Sequence, residues 1–378
     1  MSERAERIGR RTFLDLGWRG ALAATLAPKA LRVASARATS VRGTVLGPGR
    51  IQREGAPTLH SLSVLDLDAG GEEPWTIELD FFGHGLTFDP TDPHRAALFE
   101  KRGSGACILD LENRRVVRPI PAGEREFYGH GSFSPDGSLL YSTEILVSED
   151  YRGVIVVRDG ATLEELGEFP TYGESPHDCV LRDDGRTLVV TNGGSRVPGG
   201  DPPSVTYVDV ESRELVERVT IENPDVGAGH LALTLAGDLA VVSAPREWMS
   251  VESVGAASFR TVGGVLRTME EPRETTGRLK GESLSLAIHE PSGIVGVTNP
   301  LANLLTFWEL TSGRLVRSLD LAYPRGIALT LDGERFVVSY GKSTSLVEIS
   351  TADLEPVRGS RRSSLAMNGS HVVVRDLR

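Results

Sequence analysis

Residues 127–137 of this 378-residue chain read FYGHGSFSPDG. The stretch joins a Gly-His-Gly segment to a short alternation of Phe and Ser and then to a Pro-Asp-Gly turn. Further along, residues 139–143, 154–157 and 164–169 are rich in aliphatic, aromatic and β-branched residues and are separated by turn residues. Together these segments predict a unit of four short strands.

The same unit recurs along the chain. Clear copies begin around His84, His177 and His230, and weaker ones begin near residues 283, 325 and 365. Successive copies lie roughly 40–53 residues apart, a period typical of β-propeller blades. The repeat therefore predicts an all-β fold, a seven-bladed β-propeller over residues 39–378.

The two ends of the repeat are incomplete. Two predicted strands, at residues 62–67 and 75–79, precede the first unit, while the last unit shows two strands, at 364–367 and 371–374. We expect the N-terminal strands to complete the last blade, because ring closure pairs edges that otherwise invite aggregation. Residues 247–281, rich in Gly, Arg and Glu, are predicted to form a loop or a decorated strand pair.

The first 38 residues predict a twin-arginine export signal. Arg10 and Arg11 are followed by Thr-Phe-Leu and by a run of Ala and Leu, with small-residue cleavage sites that end at Ala36 and Ala38. This order is that of a twin-arginine signal. The alternative is a basic amphipathic helix on the folded protein. The export interpretation predicts a periplasmic protein with no stable membrane insertion after signal removal.

Composition excludes several classes of protein. The formal net charge is −11, so a basic footprint for nucleic acid is not expected. Cys107 and Cys179 are too few for a disulfide framework. We find no P-loop, no dinucleotide fingerprint and no Gly-x-Ser-x-Gly elbow.

Half of the histidines fall at the start of a repeat unit. These are His84, His130, His177 and His230, out of 8 in the chain. The first strand of each propeller blade lines the central channel, so these side chains are expected to meet there. The remaining ones are predicted to be surface residues in turns or outer strands: His60, His94, His289 and His371.

Converging imidazoles suggest a metal site. Neutral imidazole is a common ligand of transition metals, and the pattern leaves iron or copper open. The alternative is structural, with each histidine hydrogen-bonded to neighbouring backbone so that adjacent blades are tied together. Other residues are predicted to line the channel nearby, with Asp178 as an acceptor that orients a ring: Tyr128, Asp178, Glu282 and Arg325.

Several of these motifs together resemble a known family. The stretch at residues 127–137, the YSTE segment at 141–144, PHD at 176–178 and VTNGG at 190–194 resemble the DUF1513 family of exported bacterial propellers of the WD40/YVTN-like type. The resemblance spans roughly residues 60–350. It implies a role in metal or redox handling, with periplasmic iron-uptake or redox proteins as partners.

Three hypotheses of function follow. The first is a periplasmic protein that binds iron or copper, or a complex of such a metal, through the four histidines. The second is a non-catalytic interaction scaffold with structural histidines. A metal-dependent lactonase or hydrolase is less favoured, because Glu282 is the one carboxylate expected near the axis with a catalytic use. The sequence does not require catalysis.

Overall fold

The computed structural model describes residues 41–52, 54–69, 73–149, 151–250, 252–342 and 344–378. The predicted export signal at residues 1–38 lies outside them. Within these ranges no helix has the length and apolar character needed to cross a membrane. The described chain is almost entirely β-structure. It has a four-residue helix, α1 (Arg273–Thr276), and two 3-10 turns at Val147–Glu149 and Glu290–Ser292.

The strands follow one another in short antiparallel runs. In chain order they are β1 (Thr44–Ile51), β2 (Leu59–Asp66), β3 (Trp75–Leu79), β4 (Gly83–Asp89), β5 (Asp92–Gly103), β6 (Ala106–Asp110), β7 (Arg115–Pro119), β8 (Glu126–Phe133), β9 (Leu139–Leu146), β10 (Arg152–Asp159), β11 (Glu165–Glu174), β12 (Pro176–Leu181), β13 (Thr187–Asn192), β14 (Ser204–Asp209), β15 (Leu215–Thr220), β16 (Leu231–Leu233), β17 (Leu239–Ser243), β18 (Ala256–Arg260), β19 (Arg267–Thr268), β20 (Leu286–His289), β21 (Ile294–Asn299), β22 (Leu304–Glu309), β23 (Leu315–Asp320), β24 (Ile327–Leu329), β25 (Arg335–Tyr340), β26 (Ser345–Ser350), β27 (Arg362–Ser363) and β28 (Val373–Arg375).

Hydrogen bonding groups these described strands into five separate 4-stranded sheets and one 8-stranded sheet. The prediction of an all-β propeller is confirmed, but the prediction of seven blades is wrong, since five four-stranded sheets form blades of their own and the other eight strands form one continuous sheet. In the larger sheet, the unit β4–β7 is joined to the unit β8–β11. The joint forms because β5 runs past the end of β6 and pairs with β8, with Lys101 opposite Tyr128 and Gly103 opposite Phe127.

The ring is closed by strands from both ends of the chain. The closing sheet has the order β28-β1-β2-β3, and β28 pairs with β1 through Val374 opposite Val45. Three N-terminal strands contribute, rather than the two predicted. The strand predicted at residues 364–367 does not form, and β27, directly before it, completes the preceding sheet.

Strand β1 escaped prediction because it contains Gly47-Pro48-Gly49, which reads as a turn. The glycines are there because another backbone segment passes close by. A Cβ at Gly49 would lie 1.6 Å from the carbonyl oxygen of Ala366, and one at Gly47 would lie 3.2 Å from Cβ of Met367. The strand therefore needs glycine where the C-terminal segment crosses it.

The insert at residues 247–281 is largely part of the propeller. Strands β18 and β19 are the third and fourth strands of the sheet β16–β19, and α1 follows them. Of the two structures predicted for this insert, the strand pair agrees with the structure better than the loop does.

Apolar side chains fill the spaces between neighbouring four-stranded units. Each of the clusters found among the described residues combines side chains from two adjacent units, such as Phe259 of β18 with Trp308 of β22. The first strand of each unit, from β4 through β28, contacts the first strand of the next. This arrangement brings the beginnings of these strands together at the centre.

Candidate metal centre

The four histidines at the starts of the repeat units come together in the structure. His84 lies in β4, His130 in β8 and His177 in β12, while His230 directly precedes β16. One ring nitrogen from each lies within 4.8 Å of those of the others. The cluster is almost completely enclosed, since three of the rings are buried and His130 is nearly so.

His230 occupies the middle of the cluster. Its Nε2 lies 3.2 Å from Nε2 of His84 and 2.6 Å from Nε2 of His177. Its Nδ1 faces the carbonyl oxygen of Leu284. Because a carbonyl oxygen can only accept, Nδ1 carries the hydrogen in the neutral ring and Nε2 presents a lone pair.

His130 is oriented by a carboxylate. Its Nδ1 lies 3.1 Å from Oδ1 of Asp178, whose Oδ2 accepts the backbone N–H of Leu231 at 3.1 Å. A carboxylate behind an imidazole fixes the ring's tautomer and is the usual partner of metal-binding histidines. His130 thus directs Nε2 inward, and among the described residues this buried atom has no hydrogen-bond partner.

The histidines do not all occupy the same register. The backbone N–H of His130 donates to Oγ1 of Thr143, and the backbone N–H of Asp178 donates to Oγ1 of Thr191. Asp178 therefore holds the place in its strand that His130 holds in β8, and His177 is one residue earlier. The expectation of equivalent positions is wrong here, although both rings reach the cluster.

A fifth histidine belongs to this region, and the prediction that His371 is a surface residue is wrong. Its ring centroid lies 3.9 Å from that of His230 and 5.1 Å from that of His84. Its Nε2 is buried without a partner among the described residues. The reason is register: the seventh unit begins around His371, just before β28, and not near residue 365.

The predicted channel residues divide between two places. Tyr128 packs its ring edge against His177 with 6.2 Å between centroids, and it shares with Glu282 a cavity beside the cluster. Arg325 lines a different cavity and donates to the carbonyl oxygen of Gly369 at 3.0 Å. Its predicted place in the channel beside the histidines stays a prediction.

The cysteines take no part in the cluster. Both are free and buried. Cys179 packs in an apolar cluster with residues such as Val190, and burial raises its pKa. Cys179 is therefore a thiol of the apolar core.

Burial determines the charge of the imidazoles. Desolvation lowers the pKa of all five rings, with that of His130 and that of His371 at about 3. The ammonium of Lys101 acts in the same direction. At neutral pH the rings are therefore uncharged, which is the form that binds a metal.

We expect the metal-free protein to lose stability as the pH falls below the usual histidine value of 6.5. Between pH 6.5 and about 3, the histidines of the unfolded chain bind protons, whereas the buried rings of the folded protein stay neutral. A falling pH therefore favours unfolding throughout this range. The loss is at most about 1.4 kcal/mol per buried histidine for each pH unit. Carboxylates such as Asp136, whose pKa is lowered to about 2, act only below their unfolded value of 3.8. Burial raises the pKa of Asp178, and its protonation opposes this loss, so calorimetric melting between neutral pH and about pH 5 measures the five histidines less this one contribution. An unchanged melting temperature would contradict the assignment.

The fold and this site define a β-propeller with a buried histidine cluster at its centre. The family model described as "Protein of unknown function (DUF1513)" matches residues 77–369. The chain belongs to the DUF1513 family, and the resemblance seen in the sequence is confirmed.

Among solved structures, the chain is similar to Kuenenia stuttgartiensis hydrazine synthase, with a TM-score of 0.63 and 16% sequence identity. The likeness covers 83% of this chain and 97% of that one. At this identity it shows the fold alone. No curated protein matches the sequence.

Proposed function

We propose that this protein binds one iron or copper ion through His84, His130, His177 and His230 and handles that metal in the periplasm. The observation that carries the proposal is the convergence of Nε2 atoms on His230, at 3.2 and 2.6 Å, inside a buried and uncharged cluster. Metal–imidazole bonds are about 2.0–2.1 Å long, so two nitrogens on one tetrahedral ion lie about 3.3 Å apart. The 3.2 Å pair is already at this separation, and the 2.6 Å pair would have to open by less than about 1 Å.

The hydrogen bonds behind the rings support ligation. The Nδ1 atoms of His230 and His130 face the carbonyl of Leu284 and the carboxylate of Asp178, which leaves both Nε2 atoms as lone-pair donors. Such outer contacts orient a ring and raise its basicity toward a metal. An all-imidazole set suits copper and iron better than magnesium or calcium.

A purely structural role explains less. Histidines that merely tie blades together would have their ring nitrogens hydrogen-bonded. Here Nε2 of His130, Nδ1 of His177 and Nε2 of His371 are buried without partners among the described residues. Each unpaired buried polar group destabilises the folded protein by roughly 1–3 kcal/mol. The scaffold hypothesis names no interaction that would offset this destabilisation.

The cellular setting is proposed from two features of the sequence. The Arg10-Arg11 pattern supports export by the twin-arginine route, which carries proteins that have already folded. The family resemblance supports iron-uptake or redox proteins of the periplasm as partners.

The test is the metal content of the untagged protein recovered from a periplasmic extract. We expect about one iron or copper per chain by mass spectrometry. Folded protein without either metal, even after incubation with their salts, would instead support the scaffold. Failure to find the protein in the periplasm would contradict the proposed export.

Asp178→Asn should weaken metal binding without removing the ligands. The amide keeps the size of the side chain but loses the charge behind His130, and changes of this kind typically cost about 10–100-fold in metal affinity. Affinity is measured by competition with a chromogenic chelator. Asp183→Asn, in an exposed turn, is the matched control and should bind like the wild type. Equal affinities for the two variants would exclude Asp178 from the site.

A further inference from the structure

A small cavity lies directly beside the histidine cluster. It has a volume of about 150 Å³, and residues from several units line it, including Lys101, Ser175, His177, His230 and Glu282. We refer to it as the lysine cavity. An engineered cavity of about 150 Å³ is known to accommodate benzene, so a ligand of about six non-hydrogen atoms fits this size.

Three polar groups of the lysine cavity have no partner among the described residues. Oγ of Ser175 and Nδ1 of His177 are buried and make no hydrogen bond, although both side chains line the cavity. Both residues are more than nine-tenths buried, at 7% and 4% exposure. Lys101 also lines the cavity, and its ammonium forms no ion pair among the described residues. A bound ligand with oxygen acceptors would satisfy Ser175 and Lys101 together.

The charge of the wall favours an anion. Arg102 and Arg196 both pair with Glu247, so one carboxylate serves two guanidinium groups. Arg246 stacks on Trp248 and donates to the carbonyl oxygen of Ser195 at 2.6 Å. These contacts leave the lining with more cations than carboxylates.

Lys101 is the cation best placed to receive the ligand. Although the residue is exposed overall, the surrounding protein desolvates the ammonium and lowers its pKa to about 8, an effect that Glu282 partly opposes. The side chain therefore remains mostly protonated at neutral pH. It can meet a negative charge while that charge also touches a metal held by His177 and His230.

The cavity on the other side of the cluster is different. It is lined by His130, Asp178, Ser285 and His371, and its described lining contains the Asp178 carboxylate but no lysine or arginine. His230 lines both cavities. An anion that approaches the metal is thus favoured from the side of Lys101 and disfavoured from the side of Asp178.

We infer that the lysine cavity holds a small oxyanion that binds Lys101 and Ser175 and serves as a further ligand of the proposed metal. This inference rests on the proposed function and names its co-ligand. The shared chemistry is that of a compact anion with several oxygen atoms, whether carbonate, phosphate or a short carboxylate.

The test uses the full chain loaded with Cu(II) from its nitrate salt. Copper(II) binds nitrogen ligands more tightly than iron(II) does, so it is a suitable probe for either native metal. Bicarbonate, phosphate and acetate are titrated separately at constant ionic strength, and the copper electron paramagnetic resonance spectrum is recorded. We expect at least one of them to change the spectrum saturably, and the one that binds tightest identifies the source.

Variants separate the anion site from the metal site. Lys101→Met should bind copper at the wild-type stoichiometry but weaken the anion by at least about tenfold, and Lys101→Arg should restore most of that affinity. Lys342→Met, in the cavity near Arg325, is the control and should behave like the wild type. Two results overturn this inference alone. One is a copper-loaded wild type whose spectrum no anion changes, and the other is an anion affinity that is equal in the wild type and Lys101→Met. A wild type that binds no copper overturns the proposed function and this inference with it.

Discussion

His230→Ala should abolish stoichiometric metal binding. His230 is the ring whose Nε2 lies within 3.2 Å of Nε2 in both His84 and His177, and it borders both cavities. Loss of a residue behind a ligand already costs about 10–100-fold in metal affinity, so loss of this central ligand should cost more than about 100-fold. The measurement is metal content after equilibrium dialysis.

A matched variant separates lost ligation from lost folding. His289→Ala removes an imidazole that packs near Phe336, away from the cluster, and should retain the wild-type metal content. Far-ultraviolet circular dichroism should show both variants folded. If His230→Ala kept its metal under these conditions, the proposed ligand set would be wrong.

Glu144→Leu should strongly destabilise the fold. Glu144 and Arg158 are 0% and 1% exposed, with 2.6 Å between Oε1 and Nη1. Arg158 also donates to Oγ of Ser142 and to the carbonyl oxygen of Pro121, each at 2.7 Å. Removal of the carboxylate leaves a buried guanidinium without its counter-charge, and this typically costs about 3–5 kcal/mol. We expect the melting temperature to fall on the order of 10 °C in calorimetry.

Two controls make this prediction specific to the buried charge. Arg186→Ala breaks an ion pair with Asp209 in which Arg186 is 62% exposed, and it should cost less than about 1 kcal/mol. Glu144 also pairs with Arg125, which keeps Glu165 and Glu168 as partners in either variant. The double variant Glu144→Leu/Arg158→Met removes the two most buried charges and should recover part of the lost stability. A single variant that melts with the wild type, or a double variant no more stable than the single one, would contradict the argument.

The sequence predicts the propeller because its signals are local and repeated. The Gly-His-Gly openings and Asp-Gly turns recur with the strands between them, so several copies support the same conclusion. The pairing of β5 with β8 depends on how far β5 extends beyond its own sheet. The repeat pattern does not predict the length of a single strand. Strand β1 is not predicted because Gly47 and Gly49 are typical of turns in a sequence. In the structure they are needed because the C-terminal segment passes close to the strand.

The candidate site was predictable where it depended on the repeat. His84, His130, His177 and His230 mark the starts of four units and meet as expected. The sequence does not predict His371 as a member of the cluster, because the repeat places the start of the last unit near residue 365. Its spacing from Arg325, close to that between His84 and His130, was the available signal. The acceptor position predicted for Asp178 agrees with its contact to His130.

Lys101 could not be found in this way. It lies near the end of β5, a second strand, and reaches the centre because this strand extends past its own sheet to β8. No feature of the sequence around residue 101 distinguishes a channel lysine from a surface lysine. Its position beside His177 and His230 depends on tertiary structure alone.

The most direct test of the account is anomalous diffraction from a crystal of the protein soaked with copper or iron, recorded on either side of the metal's absorption edge. The account predicts one strong peak inside the channel, within about 2.0–2.3 Å of Nε2 of His230. It also predicts that Nε2 atoms of the neighbouring rings will lie around the same peak. A channel without anomalous density, or density only at surface histidines such as His94 and His289, would contradict it.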